Sequence, residues 1–81
     1  SSPALTVFQH SSDKISIKIN DTNEKIKDAE YKIVSLDGKV KKTGKLLSDI
    51  TVLNIPDFSR GVYVVTARTE NYILSTKFVF Q

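Results

Sequence analysis

The sequence predicts an all-β domain, an antiparallel sandwich of seven short strands. Segments of alternating apolar and polar side chains recur about every ten residues, which is the spacing of strands in a sandwich. No segment shows the apolar period of a helix. Turn-forming pairs such as Asp37-Gly38 and Pro56-Asp57 separate several of the segments.

The first three strands follow from this alternation. Residues 5–8 are a short β-rich stretch, and the next strand places Ile15, Ile17 and Ile19 on one face with polar residues between them. A polar loop is expected at residues 21–24. The period of two resumes over residues 31–36, which predicts the third strand.

A hairpin is expected to join the third and fourth strands. Asp37-Gly38 favours a type I′ turn, in which both central residues have positive φ. The returning strand, residues 39–45, is poor in apolar side chains and rich in lysine, as expected of an edge strand that must not pair with another molecule. Its lysines are Lys39, Lys41, Lys42 and Lys45.

The last three strands are the most apolar. Residues 50–55 form the fifth strand, which ends before Pro56. The sixth strand, residues 62–69, begins with apolar side chains on both faces and is therefore predicted to be central and covered on both sides. In the final strand, residues 72–80, the apolar side chains Tyr72, Leu74, Phe78 and Phe80 share one face. A segment of this kind is expected to be tied into the sheet rather than to fray.

This strand pattern predicts an immunoglobulin-like sandwich. Tyr63, near the start of the sixth strand, is expected at a tyrosine corner, with a buried ring and a hydroxyl bonded to nearby backbone. Gly38 permits the hairpin, Gly61 permits a tight turn before the sixth strand, and Phe58 is expected to fill the core beside Tyr63. We predict a linker at residues 1–4 and the sandwich domain at residues 5–81.

Composition excludes several classes of function. The 81 residues allow one domain, and the lack of cysteine removes thiol nucleophiles, cysteine-bound zinc and disulfides. No apolar run approaches the roughly 18 residues that span a bilayer. The net charge of +3 mildly favours an anionic partner. Without a signal peptide the chain is cytosolic, processed, or part of a longer exported protein, and the polar start Ser1-Ser2-Pro3 favours the last.

Residues for catalysis are few, and we expect no enzyme. His10 is the only histidine, and its neighbours Ser11 and Asp13 are too close in sequence to form a nucleophile, base and orienting group in line. We therefore interpret His10 as an exposed loop residue.

Metal and nucleic-acid binding are not expected either. In the segment after Asp21, Lys25 and Ile26 occupy positions where a calcium loop needs a ligand and a glycine. No aromatic residues alternate with the lysines of residues 39–45, as nucleic-acid binding would require. A soluble edge strand is the simpler interpretation of these lysines, and an anion-binding patch is the alternative. No cofactor is expected.

Several short motifs follow one another in order along the chain. They are Ile15 and Ile17, Ile33 with Gly38-Lys39-Val40, then Leu53, Ile55 and Phe58, then Gly61-Val62-Tyr63, and finally Lys77-Phe78-Val79. This order resembles the C-terminal sorting domains of the type IX secretion system of Bacteroidetes, and the resemblance extends from Val7 to the last residue. The chain departs from the usual pattern at two places. Phe8-Gln9-His10-Ser11 replaces a Tyr-Pro-Asn-Pro opening, and Phe80 replaces a common lysine.

The resemblance implies a targeting role without catalysis. Such domains follow an N-terminal cargo, cross the periplasm with it, and direct it through the outer-membrane translocon to the cell surface or the medium. A surface sortase usually removes them and links the cargo to anionic lipopolysaccharide, whereas some members are retained for docking or lipopolysaccharide handling. The residues expected to contact the translocon or sortase, through backbone and side chains, are Lys77, Phe78, Val79, Phe80 and Gln81.

Two other functions remain open from the residues alone. The domain is alternatively a structural or adhesive sandwich module of a surface protein. It is alternatively a sugar-binding module that uses Tyr31, Tyr72 or Phe8 as an exposed stacking platform, although core packing explains the same aromatic residues.

Overall fold

Seven antiparallel strands form two sheets in the computed structural model, which describes residues 3–20 and 28–81. The strands are β1 (Ala4–Ser11), β2 (Lys14–Asn20), β3 (Ala29–Ser35), β4 (Val40–Leu46), β5 (Ile50–Asn54), β6 (Gly61–Arg68) and β7 (Ile73–Phe80). One sheet has the order β1-β2-β5 and the other β4-β3-β6-β7. The all-β class and the number of strands are confirmed. The predicted polar loop at 21–24 and the Lys25 and Ile26 positions lie outside the described residues.

The inward faces of both sheets contribute to one apolar core. The predicted alternation in β2 is confirmed, since Ile15 and Ile17 are fully buried and Ile19 nearly so. From the opposite sheet come Ile33 and Val65, which are also fully buried. Within the described residues, no helix has the length and apolar character needed to cross a membrane.

The first strand is longer than its apolar residues predict. β1 pairs with β2 from Ala4 opposite Asn20 to Gln9 opposite Ile15, and the pairing continues past a bulge to Ser11. His10 therefore lies in a strand, and its assignment to a loop is wrong. The backbone hydrogen bonds between β1 and the buried β2 do not depend on the type of side chain. Because of this pairing, β1 continues through the polar residues Gln9, His10 and Ser11.

β6 is a central strand, as predicted, with β3 on one side and β7 on the other. Its inward residues Tyr63, Val65 and Ala67 are buried. On the outer face, Val62 and Val64 keep partial exposure. The predicted cover on both faces is therefore not found in the part of the chain that the structure describes.

The β3–β4 hairpin turns by a different geometry from the one predicted. The N–H of Gly38 donates to the carbonyl of Ser35 at 2.9 Å, and Gly38 has φ 87°. Asp37 has no positive φ, so the type I′ assignment is wrong. A three-residue loop with one left-handed glycine fits these data. The Ser35 hydroxyl and then the Lys39 N–H donate to the Asp37 carboxylate and hold its pKa below its usual value.

Tyr31 and Gly44 form a close cross-strand pair between β3 and β4. A Cβ atom built on Gly44 would lie 2.7 Å from the Tyr31 ring and hydroxyl, which is closer than atoms approach without displacement. Tyr31 is only 5% exposed, and its burial raises the pKa of the phenol. Gly44 thus makes room for an aromatic ring in the core, and Tyr31 cannot serve as a stacking platform for sugars.

Gly44→Ala is expected to destabilise the fold by about 1 to 3 kcal/mol, because the added methyl group overpacks a ring that has little room to move. Urea unfolding followed by circular dichroism measures the change. Thr43→Ala, at the exposed neighbouring position of β4, is the matched control. Equal unfolding free energies for the two variants would contradict the proposed close packing.

Candidate functional site

The last strand, β7, is an edge strand whose two faces have different environments. Phe78 is 7% exposed and Phe80 is 3% exposed, so both side chains belong to the core. Lys77, Val79 and Gln81 are exposed. Of the five residues predicted to contact a partner, these three are the ones whose side chains face solvent. The contact itself stays a prediction.

An aromatic cluster holds β7 in place. The ring centroids of Phe58 and Tyr63 lie 5.1 Å apart, those of Phe58 and Phe80 6.3 Å, and those of Phe78 and Phe80 6.1 Å. The Phe58–Phe80 pair is edge-on and the other two pairs are tilted, and aromatic pairs at such distances add to the stabilisation from burial. Tyr63 is buried as predicted, and Phe58 packs against the core while remaining partly exposed.

Tyr63 also ties β6 to the preceding loop. Its hydroxyl donates to the carbonyl oxygen of Ser59 at 2.6 Å, four residues upstream. The predicted tyrosine-corner geometry, a buried ring with a backbone-bonded hydroxyl, is observed. Between the two residues the chain turns through Gly61, whose φ of 153° is rarely adopted by residues with a side chain.

An open groove runs between β1 and β7, which are each one of the two edge strands of their sheet. Its volume is about 650 Å³. The lining residues come from both strands and are Val7, Phe8, Gln9, His10, Ser11, Lys77, Phe78, Val79 and Gln81. The groove, called the terminal groove below, thus contains four of the five predicted contact residues. Its β1 side was not predicted from the sequence.

The amide side chain of Gln9 connects β1 to the end of β7. Its Nε2 donates to the carbonyl oxygen of Gln81 at 2.6 Å, and the Gln81 N–H donates to its Oε1 at 2.9 Å. A side-chain amide has an N–H donor and a carbonyl acceptor, as a peptide group has. The Gln9 side chain therefore pairs with the Gln81 backbone as a neighbouring strand would, although β1 and β7 are not paired in a sheet. We call this pair of bonds the Gln9 clamp. No local pattern identifies it, because the partners are far apart in sequence.

The residues considered for catalysis do not form a triad. His10 Nε2 lies 2.9 Å from the hydroxyl of Ser16, whereas the Ser11 hydroxyl donates to Asp13 at 2.8 Å. Ser16 is 4% exposed, and the bond to His10 supplies the partner that its buried hydroxyl needs. No group of three or more potential metal ligands occurs within residues 3–20 and 28–81.

The lysines of the predicted anion patch lie along β4, which is an edge strand as predicted. Lys42 lies on the same, inward face of β4 as the buried Leu46, whereas Lys45 lies on the outward face. Lys41 occupies an irregularity in the β3–β4 register. Lys41 and Lys42 line a recess of about 210 Å³ with residues 54–58. The four lysines, including Lys39, are thus divided between two faces, and anion binding stays a prediction.

Tyr63→Phe is expected to lower the free energy of unfolding by about 1 kcal/mol, because it removes the bond to Ser59 and keeps the ring. Ser59→Ala is the control, because it removes only the long contact of 3.4 Å between the Ser59 and Tyr63 hydroxyls and keeps the backbone oxygen that accepts at 2.6 Å. It should change stability by less than about 0.5 kcal/mol. Chemical denaturation measures both. A Tyr63→Phe protein as stable as the unmodified chain would contradict a role for the hydroxyl.

Gln9→Ala is expected to release the end of β7 without unfolding the domain. Hydrogen exchange by NMR should show faster exchange of the Gln81 amide proton, while core amides of β6 remain protected. Gln9→Glu should give an intermediate effect, because a carboxylate accepts from Gln81 N–H but does not donate to its carbonyl. Ser11→Ala, which keeps the clamp, is the control. Unchanged exchange at Gln81 in Gln9→Ala would show that the clamp does not hold the terminus.

Comparison with known families supports the resemblance of the motif order. The family model for the secretion system C-terminal sorting domain matches residues 11–81. No curated protein and no solved structure matches the chain in the corresponding comparisons. The matched segment contains β2 to β7 and the aromatic cluster, while Gln9 lies before it. With most of its length matched, the chain belongs to the family of C-terminal sorting domains of the type IX secretion system.

Proposed function

We propose that this domain directs an attached N-terminal cargo across the outer membrane through the type IX translocon, with β7 as the element that the machinery contacts. Membership of the sorting-domain family supports the export role. The observation that carries the choice of β7 is its position at an open edge, where Lys77, Val79 and Gln81 border the terminal groove. An edge strand of this kind offers both side chains and backbone to a partner.

The same proposal includes the route and the fate of the cargo. The domain passes through the periplasm with its cargo and reaches the outer-membrane surface or the medium of a Bacteroidetes cell, where a sortase removes it and joins the cargo to anionic lipopolysaccharide. It acts as a recognition element and not as an enzyme. The bonds of His10 to Ser16 and of Ser11 to Asp13 support this view, because these side chains are engaged separately.

A retained docking module is the second candidate. The recess beside Lys41 and Lys42 favours it, because two lysine residues line a cavity of about 210 Å³ that an anionic group of a surface polysaccharide could enter. Asp57 in the same recess opposes such a ligand by like charge. Cleavage by the sortase therefore remains the leading proposal.

We also infer that the fold is of the immunoglobulin-like class. The Tyr63 corner on the sixth strand and the grouping of strands 1, 2 and 5 against strands 3, 6 and 7 support this inference. The fourth strand joins the sheet of strands 3, 6 and 7, whereas in constant-type immunoglobulin domains it joins the other sheet.

An export assay tests the function. Residues 1–81 are fused to a periplasmic reporter in a host with the type IX system. The reporter is expected outside the cells, and in the periplasm of a strain that lacks the translocon. Removal of residues 77–81 is a poor negative control, because it also deletes two core aromatic residues. Lys77→Ala combined with Gln81→Ala alters exposed side chains only and leaves the backbone bonds of the Gln9 clamp.

The double variant is expected to lower the exported fraction while its unfolding free energy changes by less than about 0.5 kcal/mol. Ile73→Ala, exposed at the other end of β7, is the matched control and should be exported normally. An intact fusion that never leaves the periplasm would refute the export function. Normal export of a folded double variant would refute contact through these two side chains.

A further inference from the structure

The outer face of the four-stranded sheet is divided into a polar end and an apolar end. Strand pairing aligns its side chains in rows across β4, β3, β6 and β7. The rows of the polar end are Lys45-Glu30-Arg68-Ile73 and Thr43-Lys32-Thr66-Ser75, in which every residue except Ile73 is polar. The next rows are Val40-Val34-Val64-Lys77 and Val62-Val79. Apolar side chains thus collect at the end of the sheet where β7 finishes.

The five valines of this end form one continuous surface, which we call the valine face: Val34, Val40, Val62, Val64 and Val79. Val40 is 53% exposed and Val79 is 50% exposed, and the other three are half-buried. The other sheet packs on the opposite side of these strands, through the shared core. Contiguous apolar surface of this kind marks a binding site more often than scattered single residues do.

Three motifs that are distant in sequence meet at the valine face. Gly38-Lys39-Val40 contributes Val40, Gly61-Val62-Tyr63 contributes Val62, and Lys77-Phe78-Val79 contributes both Lys77 and Val79. In the second and third motifs the middle or flanking aromatic residue points into the core. The second and third motifs therefore each have an inward residue for the fold and an outward residue for the same external surface, whereas the first contributes only to the surface.

We propose that the valine face together with Lys77 docks a protein partner that presents a flat apolar surface bearing carboxylates. The inference rests on the proposed export function and extends the contact from the terminal strand to three further strands. Valine side chains on a sheet are short and even in height, so a second flat surface can pack on them at the spacing of stacked sheets. Sorting by the secretion machinery would then depend on an interface, and not on the terminal strand alone.

Charge indicates the character of the partner. Lys77 lies in the same row as Val64, and Lys32 lies in the next row. Among the outer-face positions of these rows there is no acidic residue, and Glu30 lies one row further away. A carboxylate placed beside the apolar contact would complement Lys77. A second copy of this chain, stacked face to face, would instead bring lysines from both copies together.

The other possible occupants fit less well. A lipid surface favours protruding aromatic or leucine side chains, whereas the valine face has none. A segment that precedes β1 leaves from Ala4, which pairs with Asn20, whereas Gln9 at the other end of β1 contacts Gln81. Since Val79 is close to Gln81, an attached cargo starts at the end of the domain opposite the valine face. The face thus remains accessible to a partner in trans.

The test uses the reporter fusion with Val40→Thr and Val62→Thr combined, since neither residue belongs to β7 and threonine keeps the β-branched shape. The exported fraction is expected to fall about tenfold, the effect of losing one interface hot spot, with unchanged cooperative unfolding. Ile50→Thr combined with Val52→Thr makes a similar change, from β-branched apolar to β-branched polar side chains, on the exposed face of the other sheet and should leave export normal. Lys77→Glu should reduce export, and Lys77→Arg should retain it.

The outcomes separate this inference from the function on which it rests. If the unmodified fusion is not exported, the export function fails. If the unmodified fusion and a folded Val40→Thr, Val62→Thr fusion are exported equally, only the docking surface is refuted. Two findings with the 81-residue chain would also overturn it. The first is binding to phosphatidylglycerol vesicles that the two valine substitutions abolish, which would assign the face to lipid. The second is a dimer in sedimentation that the same substitutions abolish, which would assign it to a second copy.

Discussion

The antiparallel pairing of β6 with β7 is the interaction on which the rest of the structure depends. Tyr63 opposite Phe78 points inward, whereas Val62 opposite Val79 points outward. Because side chains alternate strictly along a strand, a shift of one residue would exchange the two sets. The aromatic cluster prevents that shift, since Phe78 and Phe80 fit only against the core. The same register therefore determines both the stability of the domain and the surface that it presents.

This coupling explains why loss of function and loss of fold are difficult to separate in a small domain. Tyr63 and Phe80 are nearly inaccessible, yet both lie within or beside the motifs whose order resembles the family pattern. Removing a large buried aromatic side chain costs roughly 3 to 5 kcal/mol, which is a large share of the stability expected for 81 residues. Recognition is better studied at Lys77, Val40 and Val62, which lie outside the core.

Much of the fold could be predicted from periodicity, because each prediction needed only local information. The alternation of Ile15, Ile17 and Ile19 identified β2, and the tyrosine corner followed from the position of Tyr63. The Tyr31–Gly44 contact and the Gln9 clamp could not be predicted, because they depend on which strands become neighbours. The hairpin turn was assigned wrongly because Gly38 alone, and not Asp37, takes the positive φ. The contact residues in β7 were proposed as a block, although the alternation that puts Phe78 and Phe80 on one face already separates them from Lys77 and Val79.

The Gln9 clamp has a consequence for the order of folding. It joins residues that are 72 positions apart in sequence, whereas the β1–β2 and β6–β7 hairpins form from neighbouring segments. Contacts across a long separation carry a large loop-closure entropy and form after local ones. We therefore expect the clamp to form late, after the two hairpins have been brought together. Until then the end of β7 at Gln81 does not have this pairing to β1, so formation of the clamp distinguishes a mature domain from a nascent one.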